Sequence, residues 1–298
     1  MSRVTHKNTK CNPLSKASKG ITMEDILETI KKEIRNQTTI PYFGLGVFEG
    51  VMTKEGEPVP HDSDSLILAM NGGRPMAARL MFEYSRAAMH LEQRRGVEYM
   101  TQLINHIYTK PFEATLLHKA IVDMLPRYIV DTNRDTKFQE LLAFTPHCLI
   151  IGKSRIMGDL NRYETYEYDV ENQKYFLVDD EVLDSADKIL FKPMGSPLPN
   201  PTFVISDADY VDWLTEAMGG FAVPKVLKTY RKAKKYLFLG TSFGHDTDRM
   251  VANELSFDLE GGYVVTDQEL GKKEKKFIDK HNIEVIPMSL QEFIKSFV

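Results

Sequence analysis

Residues 38–50 read Thr-Thr-Ile-Pro-Tyr-Phe-Gly-Leu-Gly-Val-Phe-Glu-Gly. A short β-branched and aromatic run that opens into Gly44-x-Gly46 is how a buried strand enters a nucleotide-binding turn. Glycines let the backbone approach a pyrophosphate, whose charge is then met by amide N–H groups. Pro41 confines the strand to a few residues or to its own start. The third glycine, Gly50, comes one place too late for the usual dinucleotide fingerprint, so the motif by itself fits a structural turn and a phosphate cradle equally.

Outward from this turn, the preceding segment MEDILETIKKEI sets Ile26, Ile30 and Ile34 on one helical face, with Thr22 as N-cap. Residues 1–22 are basic and polar, lack the apolar stretch of a signal peptide, and read as a disordered arm. Downstream, Thr53 to Ser65 is rich in turn formers and long enough for a functional loop. From Pro75 to Leu125 the apolar residues follow a helical period, as in Met76, Leu80, Met81, Tyr84 and Ala88. This predicts a helical subdomain over 70–127, inserted between the first and second strands and covering part of a cleft.

The rest of the chain predicts a parallel sheet. Apolar runs RYIV, CLIIG, KYFLV, KILF, KYLFL, GGYVV and IEVI alternate with helical segments, apart from a tyrosine-rich hairpin over 159–174. Strands alternating with helices require crossovers, and the fold class that follows is a doubly wound, mainly parallel α/β sheet.

Composition narrows the partners. The 298 residues carry a net charge of −4, which gives nucleic acid no electrostatic basis as an obligatory partner. Lys272, Lys273, Lys275 and Lys276 read as the solvated face of a late helix. Two cysteines exclude a disulfide framework and a four-cysteine zinc site, and a reducing cytoplasm is the default. No apolar run reaches the roughly 18–20 residues of a membrane span.

Two further polar turns follow apolar strands. In doubly wound sheets ligands lie beyond the carboxyl ends of the strands, so Asp131-Thr132-Asn133-Arg134-Asp135 and Gly240-Thr241-Ser242 point at the candidate cleft. Simpler alternatives are a helix cap at Asp135 or Thr136 and an ordinary βα turn at Gly240.

The order of these segments resembles the sirtuin family, and more closely its bacterial branch of sirtuin-like domains. The matching stretches are IPYFGLGVF, LHKAIVDMLPRYIVDTNRD, FKPMGS, ISDADY and FLGTSFGHDTDRM, together spanning roughly residues 38 to 298. The resemblance implies a Rossmann-like domain for NAD over 23–69 and 128–298. It implies that Gly44, Leu45 and Gly46 cradle the pyrophosphate, that Thr132, Asn133 and Asp135 surround the nicotinamide ribose, and that Gly240, Thr241 and Ser242 hold the adenosine side.

The departures from the family matter as much. Met194 stands where the family has its catalytic histidine, and a thioether cannot act as a base. Leu45 and Phe48 replace small residues of the glycine loop. Asp131 and Arg134 bring charge to the ribose site, where Asp131 would repel a pyrophosphate unless Arg134 pairs with it. Of His118, His147 and His245, the last is the best substitute catalyst, because its loop should border the cleft; Asp246 and Asp248 read as helix caps. The resemblance therefore implies a domain that binds NAD or ADP-ribose with weak or no turnover. An active NAD glycohydrolase of the antiviral-defence type is the alternative. A protein deacylase is disfavoured, since the zinc ribbon of that branch needs four cysteines. No metal is expected, and a homo-oligomer or a partner protein remains open.

Overall fold

The computed structural model describes residues 22–155 and 161–298, so the basic arm expected over 1–22 lies, Thr22 aside, outside the described residues. Helix α1 (Met23–Arg35) begins with a capping box: the Thr22 hydroxyl accepts from the Asp25 N–H at 3.2 Å, and the Asp25 carboxylate accepts from the Thr22 N–H at 2.8 Å. Its buried stripe is Leu27, Ile30 and Ile34, with Ile26 at the margin.

Strand β1 (Thr39–Phe43) is buried throughout. Four helices follow: α2 (Ser63–Met70), α3 (Tyr84–Arg95), α4 (Val97–Tyr108) and α5 (Leu116–Asp123). Then come β2 (Tyr128–Asp131), α6 (Lys137–Leu141), β3 (Cys148–Gly152), the hairpin of β4 (Tyr163–Asp169) and β5 (Lys174–Val178), and β6 (Ile189–Lys192). A small ribbon of β7 (Gly195–Ser196) and β8 (Thr202–Phe203) leads to α7 (Asp207–Gly219) and α8 (Lys225–Tyr230). The last third alternates as β9 (Lys235–Leu239), α9 (Asp246–Leu255), β10 (Gly261–Val265), α10 (Lys272–Lys280), β11 (Ile283–Ile286) and α11 (Leu290–Phe297).

Nine strands form one sheet in the order β11-β10-β9-β1-β2-β6-β3-β4-β5. Every pairing from β11 to β3 is parallel, and the β4–β5 hairpin adds two antiparallel strands at one edge. This is the doubly wound α/β architecture expected, because parallel neighbours must be joined by crossovers that lay helices on the sheet faces.

Strand alternation divides the core in two. Tyr42, Tyr128, Val130, Phe191 and Phe238 face a layer built from α2, α3, α4, α7, α8, α9 and α10. Phe43, Ile129, Leu190 and Leu237 face α1, α5, α6 and α11. The helical stretch between β1 and β2 is therefore shared between faces: α2–α4 pack on one and α5 on the other.

Two local expectations shift. Helix α3 begins only at Tyr84, because Gly72 and Gly73, both with positive φ, end α2, and residues 74–83 are non-helical, with Phe82 and Glu83 lining the cleft. The residues before α7 form only the two-residue strand Thr202–Phe203. The Ser206 hydroxyl already caps α7 by accepting from the Asp209 N–H at 3.4 Å, with Asp209 bonding back to the Ser206 N–H at 2.9 Å.

Candidate functional site

β1 and β9 are neighbours in the sheet, yet the chain leaves β1 toward β2 and leaves β9 toward β10, in opposite directions. Such a switch point opens a crevice beyond the strands' carboxyl ends. A cleft of about 550 Å³ lies there. Gly44, Leu45, Gly46, Thr132, Met194, Gly240, Thr241, Ser242 and His245 all line it.

The glycines allow the turns after β1 and β9 to interlock. The Gly44 N–H donates to the Leu239 carbonyl at 2.9 Å, and the Gly46 N–H to the Gly240 carbonyl at 2.8 Å. A Cβ on Gly44 would stand 2.7 Å from the Gly240 oxygen, and one on Gly240, whose φ is +60°, would stand 2.3 Å from the Val47 nitrogen. No side chain fits between these backbones. Two loop amides are thus used internally, while the N–H groups of Leu45, Thr241 and Ser242 have no partner among the described residues. These three can meet an anion at the cleft wall.

Asn133 and Asp135 stand one layer behind the cleft. Both are fully buried, and neither lines it. The Asn133 Nδ2 donates to the Gly44 carbonyl at 3.2 Å, and Asp135 Oδ1 accepts from the Lys137 N–H at 2.7 Å. Asn133 therefore braces the glycine turn from behind. Asn133 Oδ1, Asp135 Oδ2 and the His118 Nε2 have no hydrogen-bond partner among the described residues, a group of buried polar atoms beneath the loop. His118 packs between Phe43, Phe48 and Phe138, and burial pushes its imidazole down to about 4, so it is neutral at pH 7.

The charges do not pair as the sequence implied. Asp131 forms its ion pair with Lys192 across β2 and β6, both side chains wholly buried, rather than with Arg134. Arg134 instead reaches the cleft, donating from Nε and Nη2 to the Val204 carbonyl at 3.2 and 2.5 Å and from Nη2 to the Tyr210 hydroxyl at 2.9 Å.

Met194 lines the same end and is 2% exposed. His245 borders the cleft, its ring edge-on to Phe82 with centroids 5.7 Å apart, whereas His147 is bonded to Tyr175 and stacked on Tyr168 near the sheet edge. Phe48, expected to crowd the phosphate loop, turns into the core against Phe112 and His118.

Sequence reasoning missed most of the acidic lining. Glu49, Asp62, Asp64, Asp267 and Glu269 ring the exposed mouth, while Glu83 and Asp248 are half-buried further in. Asp62 also caps α2, by accepting from the Ser65 N–H at 2.7 Å. Asp248, read from sequence as a cap, makes no cap hydrogen bond on α9 and lines the cleft, and Asp246 pairs with Arg249 and Lys273. Burial and neighbouring Glu83 push the Asp248 carboxyl up to about 7. The turn-rich composition of 53–65 was the signal for the mouth; no local signal marked Glu83 or Asp248. No group of three or more His, Cys, Asp or Glu side chains is arranged to hold a metal among the described residues. No helix among them is long and apolar enough to cross a membrane.

A solved structure of Sir2 with a deacetylated p53 peptide and 3'-O-acetyl ADP-ribose is similar to this chain at 15% identity, over 93% of this chain and 97% of that one, with a TM-score of 0.34. No curated protein matches. The SIR2-like domain family matches residues 127–286, from the second strand through the last, which is more than half of the chain. On that match the chain belongs to the SIR2-like domain family.

Proposed function

We propose that the cleft between the β1 and β9 turns binds NAD or ADP-ribose, and that wild-type turnover is weak or absent. The observation that carries this reading is the interlocked pair of glycine turns, which brings the Leu45, Thr241 and Ser242 amides to one wall at the switch point. A pyrophosphate fits such a wall, because backbone dipoles meet its charge without a side chain. Met194 supports the second half of the reading: a buried thioether at the cleft's inner end offers contact and no proton acceptor. The N-terminal ends of α2 and α3 supply Ser63, Asp64, Phe82, Glu83 and Tyr84 to the cleft's lining, in keeping with ligand sites at such junctions. Calorimetry and thermal shift with millimolar NAD, ADP-ribose and NADP test the proposal. Binding of NAD or ADP-ribose is expected, and silence from all three removes it.

The second reading is an active NAD glycohydrolase of the antiviral-defence type in the cytoplasm. It is favoured by one observation: His245 and Asp248 both line the cleft, and either supplies a proton acceptor that Met194 lacks. Nicotinamide release by purified wild-type protein separates the two readings.

A further inference from the structure

Strand β5 closes one edge of the nine-stranded sheet and pairs only with β4, from Lys174 opposite Asp169 to Val178 opposite Thr165. In an antiparallel ladder alternate residues turn their N–H and C=O groups to one neighbour, so the other residues of β5 turn theirs outward. Beyond the β4 ladder, residues 174–178 make no backbone hydrogen bond among the described residues. The strand is nevertheless held firmly. The Tyr175 hydroxyl is bonded to His147 Nε2 at 2.7 Å, and the Tyr168 ring packs on both side chains. At the far end, Asp180 accepts from the Tyr163 and Thr165 hydroxyls at 2.5 and 2.6 Å.

The two edges of the sheet differ. At β11 the exposed side chain is Glu284, between buried Ile283 and Ile286, and a charge on an edge discourages strand addition. β5 has no such guard at its centre: Phe176 is 50% exposed and Leu177 66%, on opposite faces of the sheet. An ordered edge with open backbone groups and apolar side chains on both faces is a template for another strand. The charges at its ends decide which strand. Lys174 begins β5 and Asp179 follows it, both exposed, and Asp179 makes no cap hydrogen bond to the turn beyond. A parallel copy of β5 would set like charges together at both ends. An antiparallel copy brings each Lys174 to the Asp179–Asp180 end of the other. With a two-fold axis through Leu177, Lys174 stands opposite Asp180 and Phe176 opposite Val178.

We propose that β5 is a self-association surface, through which two copies of this chain join antiparallel, β5 to β5, and continue one sheet across both. The cleft's lining includes no residue of β4 or β5, so the proposal stands apart from the nucleotide-binding reading.

The test is sedimentation velocity of the full chain over a concentration series, with circular dichroism to check the fold of each variant. Wild type is expected to pass from monomer to dimer as concentration rises. Leu177→Asp sets two carboxylates together at the axis and is expected to leave a folded monomer, because the side chain is already exposed in the single chain. Lys174→Glu and Asp179→Lys each bring like charges together and are expected to weaken the dimer about tenfold. Asp179 is reversed rather than Asp180, whose carboxylate already holds two hydroxyls. An equimolar mixture of these two variants restores opposite charges at both ends, and is expected to regain the wild-type affinity that neither variant shows alone. If Leu177→Asp does not fold, the charge variants and their mixture decide. A wild-type chain that stays monomeric at every concentration overturns the proposal. So does a dimer that a folded Leu177→Asp protein keeps, or a mixture that associates no better than its components.

Discussion

The Asp131 carboxylate and the Lys192 ammonium form an ion pair with no solvent exposure on either side chain, tying β2 to β6 directly below the cleft. Asp131 also accepts from the Asn133 N–H at 3.0 Å, so the pair holds the start of the turn whose Asn133 braces Gly44. Removing one member leaves the other charge buried and unpaired. Lys192→Met alone should destabilise by about 3–5 kcal/mol, while Lys192→Met combined with Asp131→Asn should recover most of the loss. Urea unfolding of the two single variants and the double variant measures this, and additive losses would show that the two side chains do not act as a pair.

Gly240 tests the interlocked turns. Its φ of +60°, and the 2.3 Å that would separate an added methyl from the Val47 nitrogen, leave an alanine there both strained and obstructed. Gly240→Ala should cost about 2 kcal/mol or more and abolish the thermal shift given by NAD. Gly50→Ala, at φ +77° with open space around it, is the control and should cost about 1 kcal/mol with binding retained. Equal effects from the two would mean that the close approach at Gly240 is unimportant.

His118 sets a pH dependence of stability. Its imidazole falls from 6.5 to about 4 on folding because burial disfavours the charged form. Between those values the unfolded chain binds a proton that the folded chain does not, so the contribution of neutral His118 is complete above about 6.5 and is lost as pH falls toward 4. The loss approaches about 3 kcal/mol, at roughly 1.4 kcal/mol per unit. Comparing wild type with His118→Gln isolates this slope from other groups, Asp248 included, whose raised value acts in the opposite direction. Parallel stability curves for the two proteins across that range would contradict the assignment.

Substitution at Met194 tests the proposed lack of turnover. Wild type should release nicotinamide slowly or not at all, and Met194→His should start or raise release by placing an imidazole at the inner end of the cleft. The comparison is nicotinamide production at equal protein concentration. Vigorous release by wild type, unchanged in Met194→Ala, would place the catalytic group elsewhere, with His245 the first candidate to replace.

The sequence by itself determined the strands, the parallel doubly wound sheet and the glycine turns, because these depend on short-range signals. The buried strands β1, β3, β6, β9 and β10 are largely continuous apolar runs, and Gly44, Gly46 and Gly240 sit where β1 and β9 end. The capping residue Thr22 was equally local, its hydroxyl accepting from the N–H three residues ahead. Tertiary structure decided which polar residues face the cleft. Asn133 and Arg134 are adjacent in one turn, yet the first turns inward to Gly44 and the second reaches Tyr210, 76 residues away. Asp131 finds Lys192 across 61 residues, because β6 is inserted between β2 and β3 in the sheet. Glu83 and Asp248, which stand at the starts of α3 and α9, share one cleft only because the fold brings both helix starts to its lining. Their separation in the chain hides this acidic lining, which no local pattern marks.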